Sequence, residues 1–165
     1  KAFNSLVKSL QDNEAELRQS HAALERRVSE RTAELREAFD DVRANEERVQ
    51  TVIDTAQEAF IGMDFEGRIT DWNAQAEKLF GWKRFEVLGE SLADTILPER
   101  YQTAFVQAMA HFLTTGEAPF TGQLMERTVV NQRGEEMQVE MTIGLINTAN
   151  LKLFNAFVRP ASRRP

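Results

Sequence analysis

The sequence has no cysteine and only two histidines. The lack of cysteine excludes disulfides, thiolate metal sites and cysteine nucleophiles. His21 and His111 lie far apart in the chain, so we expect no histidine-rich metal site. Acidic residues outnumber basic ones by 26 to 20, which gives a net charge of −6. That balance argues against a nucleic-acid-binding surface.

Motifs that would indicate catalysis are also missing. The chain has no G-x-S-x-G element, no Walker loop and no histidine in a kinase phosphoacceptor setting. Asp64, Glu66 and Asp71 lie around a predicted β-turn, where we interpret them as turn and cap residues rather than as an acid/base pair. We therefore predict no catalytic residue in this segment and no enzymatic activity of its own.

No apolar run is long enough to span a bilayer. The chain starts at Lys1 rather than at Met and ends in a basic tail. We expect it to be a piece of a longer protein.

Glycine and proline are absent from residues 1–61, although the chain has eight glycines and four prolines. This first part is rich in Glu, Arg, Ala, Gln and Leu, which favour a helix. An unbroken heptad register runs through it. Position a is occupied by Val7, Glu14, His21, Val28, Leu35, Val42 and Val49, and position d by Phe3, Leu10, Leu17, Leu24, Arg31, Ala38, Asn45 and Val52.

This 3.5-residue repeat predicts a left-handed coiled coil, and Val at a with Leu at d favours a parallel dimer. The helix needs a partner because so narrow an apolar stripe is not stable alone. The predicted dimer seam consists of Leu10, Leu17, Leu24, Val28, Leu35, Val42 and Val49.

Four polar residues interrupt this seam, namely Glu14, His21, Arg31 and Asn45. They either fix the register of the two helices or keep the seam marginal, so that it can change its packing in a switch. His21 would face its symmetry mate, as a tolerated polar core residue or as a pH-sensing group.

The second half changes from a helical to an alternating pattern near Glu58. We predict an α+β order of two strands, several helices and three strands. The predicted strands are 59–64, 68–72, 120–130, 137–146 and 151–158, and the predicted helices are 74–80, 84–88 and one that starts after Pro98 and stops at Thr115-Gly116.

The stretch from Asp64 to Gly81 carries the most specific motif. It contains Asp64-x-x-Gly67, Trp72-Asn73 and Phe80-Gly81, with Gln75 where alanine is usual. This pattern resembles the first half of a PAS domain. The resemblance implies a five-stranded antiparallel sheet with helices on one face, in a module that senses and dimerises. We assign residues 1–48 to a coiled-coil signalling helix, 49–159 to the PAS domain and 160–165 to a tail, in which Pro160 is unsuited to continue into an output helix.

Two shorter resemblances lie in the first half. Ala2-Phe3-Asn4 resembles the end of a HAMP domain, and the segment 24–35 with its Glu30-Arg31-Thr32 core resembles the signalling helix of bacterial receptors. They imply the cytoplasmic portion of an inner-membrane sensor that forms a homodimer. HAMP would precede this segment and an output domain would follow it in the same chain. The output is expected to be a histidine kinase, with a diguanylate cyclase or a chemoreceptor as alternatives.

The family binds ligands, where it does so, between the sheet and the helices. By pattern we place nine residues there, although the same spacing is typical of plain core: Met63, Trp72, Leu79, Phe105, Met109, Phe112, Leu124, Met141 and Phe157. We expect a well-packed core without a cofactor.

Haem and flavin remain open alternatives to an empty core. Phe105 falls where haem-containing relatives carry an axial histidine, and His111 lies further along. Trp72 and Asn73 suit a flavin ring site, but without cysteine the photochemistry of light-sensing LOV domains is excluded. The rival to a sensory relay is a constitutive dimerisation scaffold with a ligand-free PAS domain.

Overall fold

A computed structural model describes residues 1–162 of the chain. The contact pattern divides the chain into two units, Lys1–Gln50 and Thr51–Pro165. The family-based boundary at residue 48 lies close to this division.

The first unit is helical throughout. Helix α1 spans Ala2–Thr55 and buries none of its residues, so the predicted long helix is confirmed. Its polar seam residues bond within the helix, since Arg18 donates to Glu14 at 2.6 Å and Arg31 to Glu34 at 2.9 Å. Such exposed pairs contribute only about 0.3–0.5 kcal/mol each.

The second unit is a five-stranded antiparallel sheet with helices inserted after its second strand. The elements are β1 (Ala59–Asp64), β2 (Ile69–Trp72), α2 (Ala74–Phe80), α3 (Arg84–Val87), α4 (Leu92–Ile96), α5 (Glu99–Thr115), β3 (Leu124–Val130), β4 (Glu136–Asn147) and β5 (Lys152–Pro160). The strand order is β2-β1-β5-β4-β3, with antiparallel pairing at every interface. The predicted α+β order is confirmed.

Helix α4 was not predicted. Its N-cap is Ser91, whose side chain accepts from the amide of Asp94 at 3.3 Å. The Ser-x-x-Asp spacing is a helix-start signal that could have located it. The helix is only five residues long, too short for apolar periodicity to show.

Strand β3 begins at Leu124 and not at Phe120 as predicted. The amide of Thr121 donates to the carbonyl of Ala118 at 3.1 Å, which forms a turn. Gly122 then adopts a φ of 76°, in the left-handed region that favours glycine.

Pro160 belongs to a strand and not to the tail. It ends β5 opposite Val139 of β4, and the amide of Ala161 donates to the carbonyl of Gln138 at 3.0 Å. The pairing of β5 with β1 starts only at Val158, opposite Ala59. The missing amide of proline therefore removes no bond to β1. Residues 163–165 of the predicted tail lie outside the described residues.

The sheet buries the side that faces the helices. Alternate residues such as Ile61, Val139 and Val158 are almost fully buried there and pack with Ala76 and Phe80 of α2. A second cluster joins Met63, Met109, Phe112 and Phe154 at the other end of the sheet. The space between the two clusters is where the site described next lies.

Candidate functional site

A cavity of about 550 Å³ separates α5 from the helix-facing side of β3, β4 and β5. Ala104 and Ala108, one helical turn apart on α5, line it with side chains too short to reach the sheet. Phe105 and Met109 bound it next to them, and Phe154 bounds it from β5. The expectation of a well-packed core therefore does not hold at this place.

The deep end of the cavity is an aromatic cluster. The rings of Phe112 and Phe154 meet edge to face, with centroids 4.9 Å apart, and Phe65 meets Phe112 in the same way at 4.9 Å. Phe120 packs beside Phe154 with centroids 5.8 Å apart. Such pairs stabilise the position of each ring beyond the effect of burial alone.

The open end lies between α5 and β3. Tyr101 on α5 and Arg127 on β3 line the cavity and are exposed. Arg127 stands opposite Val139 on β4, and its neighbour on the same side, Met125, stands opposite Met141. Directly opposed residues of antiparallel strands lie on the same face of the sheet. The guanidinium of Arg127 is therefore on the cavity side.

A second feature of the unit is the buried side chain of Asn73, which is 1% exposed. Its Oδ1 accepts from the amides of Ala76 and Phe60, each at 2.9 Å. Its Nδ2 donates to the carbonyls of Ile53 at 2.9 Å and Glu58 at 3.1 Å. The side-chain amide of Asn73 thus donates two hydrogen bonds and accepts two. These bonds join the last turns of α1 to β1 and to the start of α2.

The salt bridges of Arg159 add a second link at this end of the sheet. Its guanidinium lies 2.9 Å from the carboxylate of Glu140 on the neighbouring strand β4. It also lies 3.4 Å from the carboxylate of Glu58, in the segment before β1. The hydrogen bond with Glu140 is the main cause of the raised pKa of Arg159. The segment that leads from α1 into β1 is thus held by both Asn73 and Arg159.

A family model of the PAS fold matches residues 47–152. The chain belongs to the PAS-fold family. The match covers the sheet from β1 to β4 and all the helices between, whereas residues 1–46 lie outside it. The predicted PAS resemblance is confirmed, and the HAMP-like and signalling-helix resemblances stay predictions.

Two relatives indicate the kinds of protein in which similar sequences occur. The chain is 32% identical over 115 residues to an uncharacterized protein of Azorhizobium caulinodans, covering 70% of this chain and 16% of the relative. It is 26% identical over 120 residues to the sensor protein FixL of Bradyrhizobium diazoefficiens, covering 72% of this chain and 23% of FixL. The chain therefore spans less than a quarter of either relative.

Solved structures show the same fold at low identity. The PAS domain of an HTR-like protein from Haloarcula marismortui superposes with a TM-score of 0.60 at 17% identity, covering 76% of this chain and 99% of that domain. A PAS domain from a two-component sensor histidine kinase superposes with a TM-score of 0.58 at 15% identity, covering 73% and 99%. Both likenesses concern the fold alone.

The PAS cavity contains four of the nine residues that we placed there by pattern. Met63, Phe105, Met109 and Met141 line it. Phe112 lies behind it in the aromatic cluster.

The other four of the nine lie elsewhere. Trp72 and Leu79 belong to the core cluster under α2, where the indole Nε1 of Trp72 donates to the carbonyl of Trp82 at 3.2 Å. Leu124 and Phe157 lie on the opposite side of the sheet, 59% and 40% exposed. Both pair with Thr142, the residue after Met141 on β4. Because neighbouring residues of a strand point to opposite faces, the residues opposite Thr142 lie on the face away from the cavity that Met141 lines.

The lining of the cavity does not fit a histidine-ligated haem. His111 is exposed on α5, with its Nε2 3.5 Å from the carboxylate of Glu117, and it is not among the lining residues. Phe105, at the position that we considered for an axial histidine, lines the cavity with an apolar ring. Trp72 and Asn73, considered for a flavin, are both engaged in the core.

The described residues form neither a three-ligand metal cluster nor a membrane-spanning helix. Within residues 1–162, no three potential metal-ligating side chains come together. No helix in that range carries a long enough apolar stretch to cross a bilayer.

Proposed function

We propose that this chain is the cytoplasmic sensory and relay module of a bacterial membrane receptor. It works as a homodimer and passes changes in coiled-coil packing through its PAS domain to an output domain further along the chain. The observation that carries the proposal is the bonding of Asn73, which ties the last turns of α1 directly to the PAS sheet.

The exposed seam of α1 supports a second copy of the chain as its partner. The predicted seam residues are leucines and valines that are all about half or more exposed: Leu10 60%, Leu17 70%, Leu24 59%, Val28 56%, Leu35 59%, Val42 57% and Val49 51%. An apolar row of this length is stable in water only when covered. Its heptad repeat fits a parallel copy of itself best.

The polar seam residues support a relay rather than a rigid rod. Glu14, His21 and Arg31 interrupt the row at a or d positions and find carboxylate or guanidinium partners on their own helix. A second helix therefore adds little stability to the seam at these positions. Two packings of similar free energy become possible, which a switch requires.

The wider context is proposed from relatives and from residues 1–35. The similarity to FixL, a sensor protein, favours a histidine kinase as the output domain, with a diguanylate cyclase or a chemoreceptor as alternatives. The HAMP-like start favours an inner-membrane receptor with this segment on its cytoplasmic side. The segment itself is proposed to be non-enzymatic, and its partners are a second copy and the neighbouring domains, without nucleic acid.

The dimer is tested by disulfide crosslinking, which the cysteine-free chain makes simple. Leu10→Cys and Leu24→Cys, at d positions two heptads apart, should each crosslink to the same residue of a second chain. Ala33→Cys, at the outer position f, should not. In an antiparallel pair at most one of the two seam positions can meet its own copy, so failure of either variant would contradict a parallel dimer.

The relay is tested by hydrogen exchange in the dimer. Asn45→Leu replaces a polar seam residue and should stabilise one packing of the coiled coil. We expect this variant to change the exchange protection of the Phe60 amide, which donates to Asn73. Ala44→Leu, at the outer position c, is the matched control. A stable dimer in which Asn45→Leu leaves Phe60 unchanged would instead support the constitutive scaffold.

A further inference from the structure

Arg127 is the charged side chain on the cavity side of β3. The other charged residue that lines the cavity, Glu126, stands opposite Glu140 in the adjacent row. Because side chains alternate along a strand, the Glu126 carboxylate lies on the other side of the sheet. The cavity therefore has a cation at its mouth without a carboxylate beside it on the same strand.

The guanidinium has only uncharged partners in the described residues. Its nitrogens donate to the carbonyl of Glu126 at 3.0 Å and approach the Met125 sulfur at 3.2 Å. No carboxylate of residues 1–162 pairs with it, whereas Arg159 pairs with Glu140 and Arg100 with Glu136. Arg127 thus keeps its capacity for a bidentate anion contact.

Behind this cation the cavity is apolar. Met125 and Met141 lie next to Arg127 on the sheet, and Met63 and Phe154 lie further in. Methionine side chains adapt to flexible apolar groups. A ligand that matches both ends has one anionic group and a long hydrocarbon part.

We propose that the PAS cavity binds an amphipathic carboxylate, with its headgroup on Arg127 and its hydrocarbon chain between α5 and the sheet. This inference rests on the proposed sensory function and names the ligand class for it. One guanidinium without a second cation in the lining matches a single negative charge, and its planar fork matches a carboxylate.

The sheet sets an upper limit to the length of the ligand. Arg127 lies on β3 and Met63 on β1, and β4 and β5 lie between them, so three strand spacings, roughly 14 Å, separate them across the sheet. They are also offset along the strands, because Arg127 stands opposite Val139, whereas Met63 is aligned through Phe154 with Leu145 further along β4. A straight acyl chain of medium length, such as that of decanoate, is shorter than this separation, so its hydrocarbon part would lie beside the methionines of β3 and β4 without reaching Phe154.

The test is calorimetric titration of the 165-residue chain with decanoate and, as an uncharged probe of equal length, decanol. We expect wild type to bind decanoate more tightly than decanol. Arg127→Ala should weaken decanoate binding by roughly tenfold to a hundredfold, because a hydrogen-bonded charge contact is lost. It should leave decanol binding unchanged, and Arg127→Lys should fall between because it keeps the charge and loses the fork.

Two further variants separate the headgroup from the chain. Arg133→Ala, in the turn between β3 and β4, removes the same charge outside the cavity and should bind decanoate like wild type. Ala108→Leu fills the cavity from α5 and should weaken both probes. Circular dichroism of each variant confirms that the fold is intact.

Equal affinity of wild type and Arg127→Ala for decanoate would overturn the proposal, as would the absence of decanoate binding to wild type. The crosslinking and hydrogen-exchange tests on the same protein report the dimer and the relay independently. A failed titration with intact crosslinking and exchange coupling rejects the ligand class and leaves the relay standing.

Discussion

At the scale of single residues, the side chains of Asn73 and Glu77 link separate segments of the PAS unit by hydrogen bonds. Secondary-structure propensities do not predict these long-range bonds. Asn73 is an N-cap by sequence, and the structure confirms that its Oδ1 accepts from the amide of Ala76. Its other bonds reach Ile53, Glu58 and Phe60, thirteen or more positions away. Glu77, one turn into α2, bonds to the backbone and side chain of the segment after the helix.

Asn73→Ala should lower the free energy of unfolding of the PAS unit by about 2–4 kcal/mol, because it leaves buried backbone donors and acceptors without partners. Urea unfolding followed by tryptophan fluorescence at fixed protein concentration measures the loss. Asn150→Ala, in the exposed turn before β5, is the matched control and should change little. A loss no larger than that of the control would mean that water replaces the bonds of Asn73.

Glu77→Gln should destabilise the protein at neutral pH and much less in acid. The amide of Arg84, at 2.9 Å, and then the Lys83 ammonium, at 3.1 Å, hold the pKa of Glu77 below its ordinary value of 4.5. Because the folded-state pKa is the lower one, the contribution of the carboxylate is present above pH 4.5 and is lost as the pH falls through the folded-state value.

Urea unfolding of wild type and Glu77→Gln across this pH range measures the difference. Glu90→Gln, exposed between α3 and α4, serves as the comparison. A difference between wild type and Glu77→Gln that stays constant with pH would show that the carboxylate charge contributes nothing.

At the scale of elements, close approach between strands explains why certain positions are glycine. Gly62 of β1 lies opposite Asp71 of β2, where the register of the pair shifts. A Cβ at Gly62 would lie 2.8 Å from the Cβ of Asp71, which is attached rigidly to the strand. Gly144 of β4 is crowded by Asn155 of β5, but there the nearest carbon is the amide carbon of the side chain, at 3.3 Å.

Gly62→Ala should therefore destabilise the sheet by about 1–3 kcal/mol, as overpacking of a tight site does. Gly144→Ala should cost less, because the amide of Asn155 can rotate away. Urea midpoints of the two variants, measured side by side, provide the comparison. If Gly144→Ala were the more damaging of the two, the strand pair β1–β2 would be more adaptable than its register indicates.

At the scale of the whole molecule, the two units derive their stability from different sources. The PAS unit has buried clusters of its own, whereas α1 buries none of its residues. A solvated helix with one apolar stripe depends on association. Both tryptophans, Trp72 and Trp82, lie in the PAS unit, so fluorescence and helical circular dichroism report the two units separately.

Leu17→Asp together with Leu24→Asp should convert the dimer into a monomer and lower the helical circular dichroism signal. Tryptophan fluorescence should stay native, because these seam positions lie outside the PAS unit. Light scattering measures the mass, and Gln19→Asp with Arg26→Asp, both at position f, is the control pair. A monomer that keeps its full helical signal would show that α1 is stable without a partner.

The sequence by itself determined the long helix, the strand–turn–strand–helix order from Ala59 to Phe80 and the PAS family. Each of these depends on local signals: the absence of glycine and proline, a heptad repeat, an N-cap and glycines at left-handed positions. Alternation along a strand and spacing along a helix are also local properties. They were the basis for placing nine residues at the cavity, and four of these residues line it.

Only the tertiary structure decided which faces meet and where space remains. Leu124 and Phe157 have the composition of core residues, but strand pairing places them on the outer face of the sheet. Arg127 gave no sequence signal beyond its place between Met125 and Val129, and its proposed role at the cavity mouth depends on the lack of a paired carboxylate within residues 1–162, in contrast to Arg100 and Arg159. A cavity exists where side chains from distant segments fail to meet, and no local pattern encodes that.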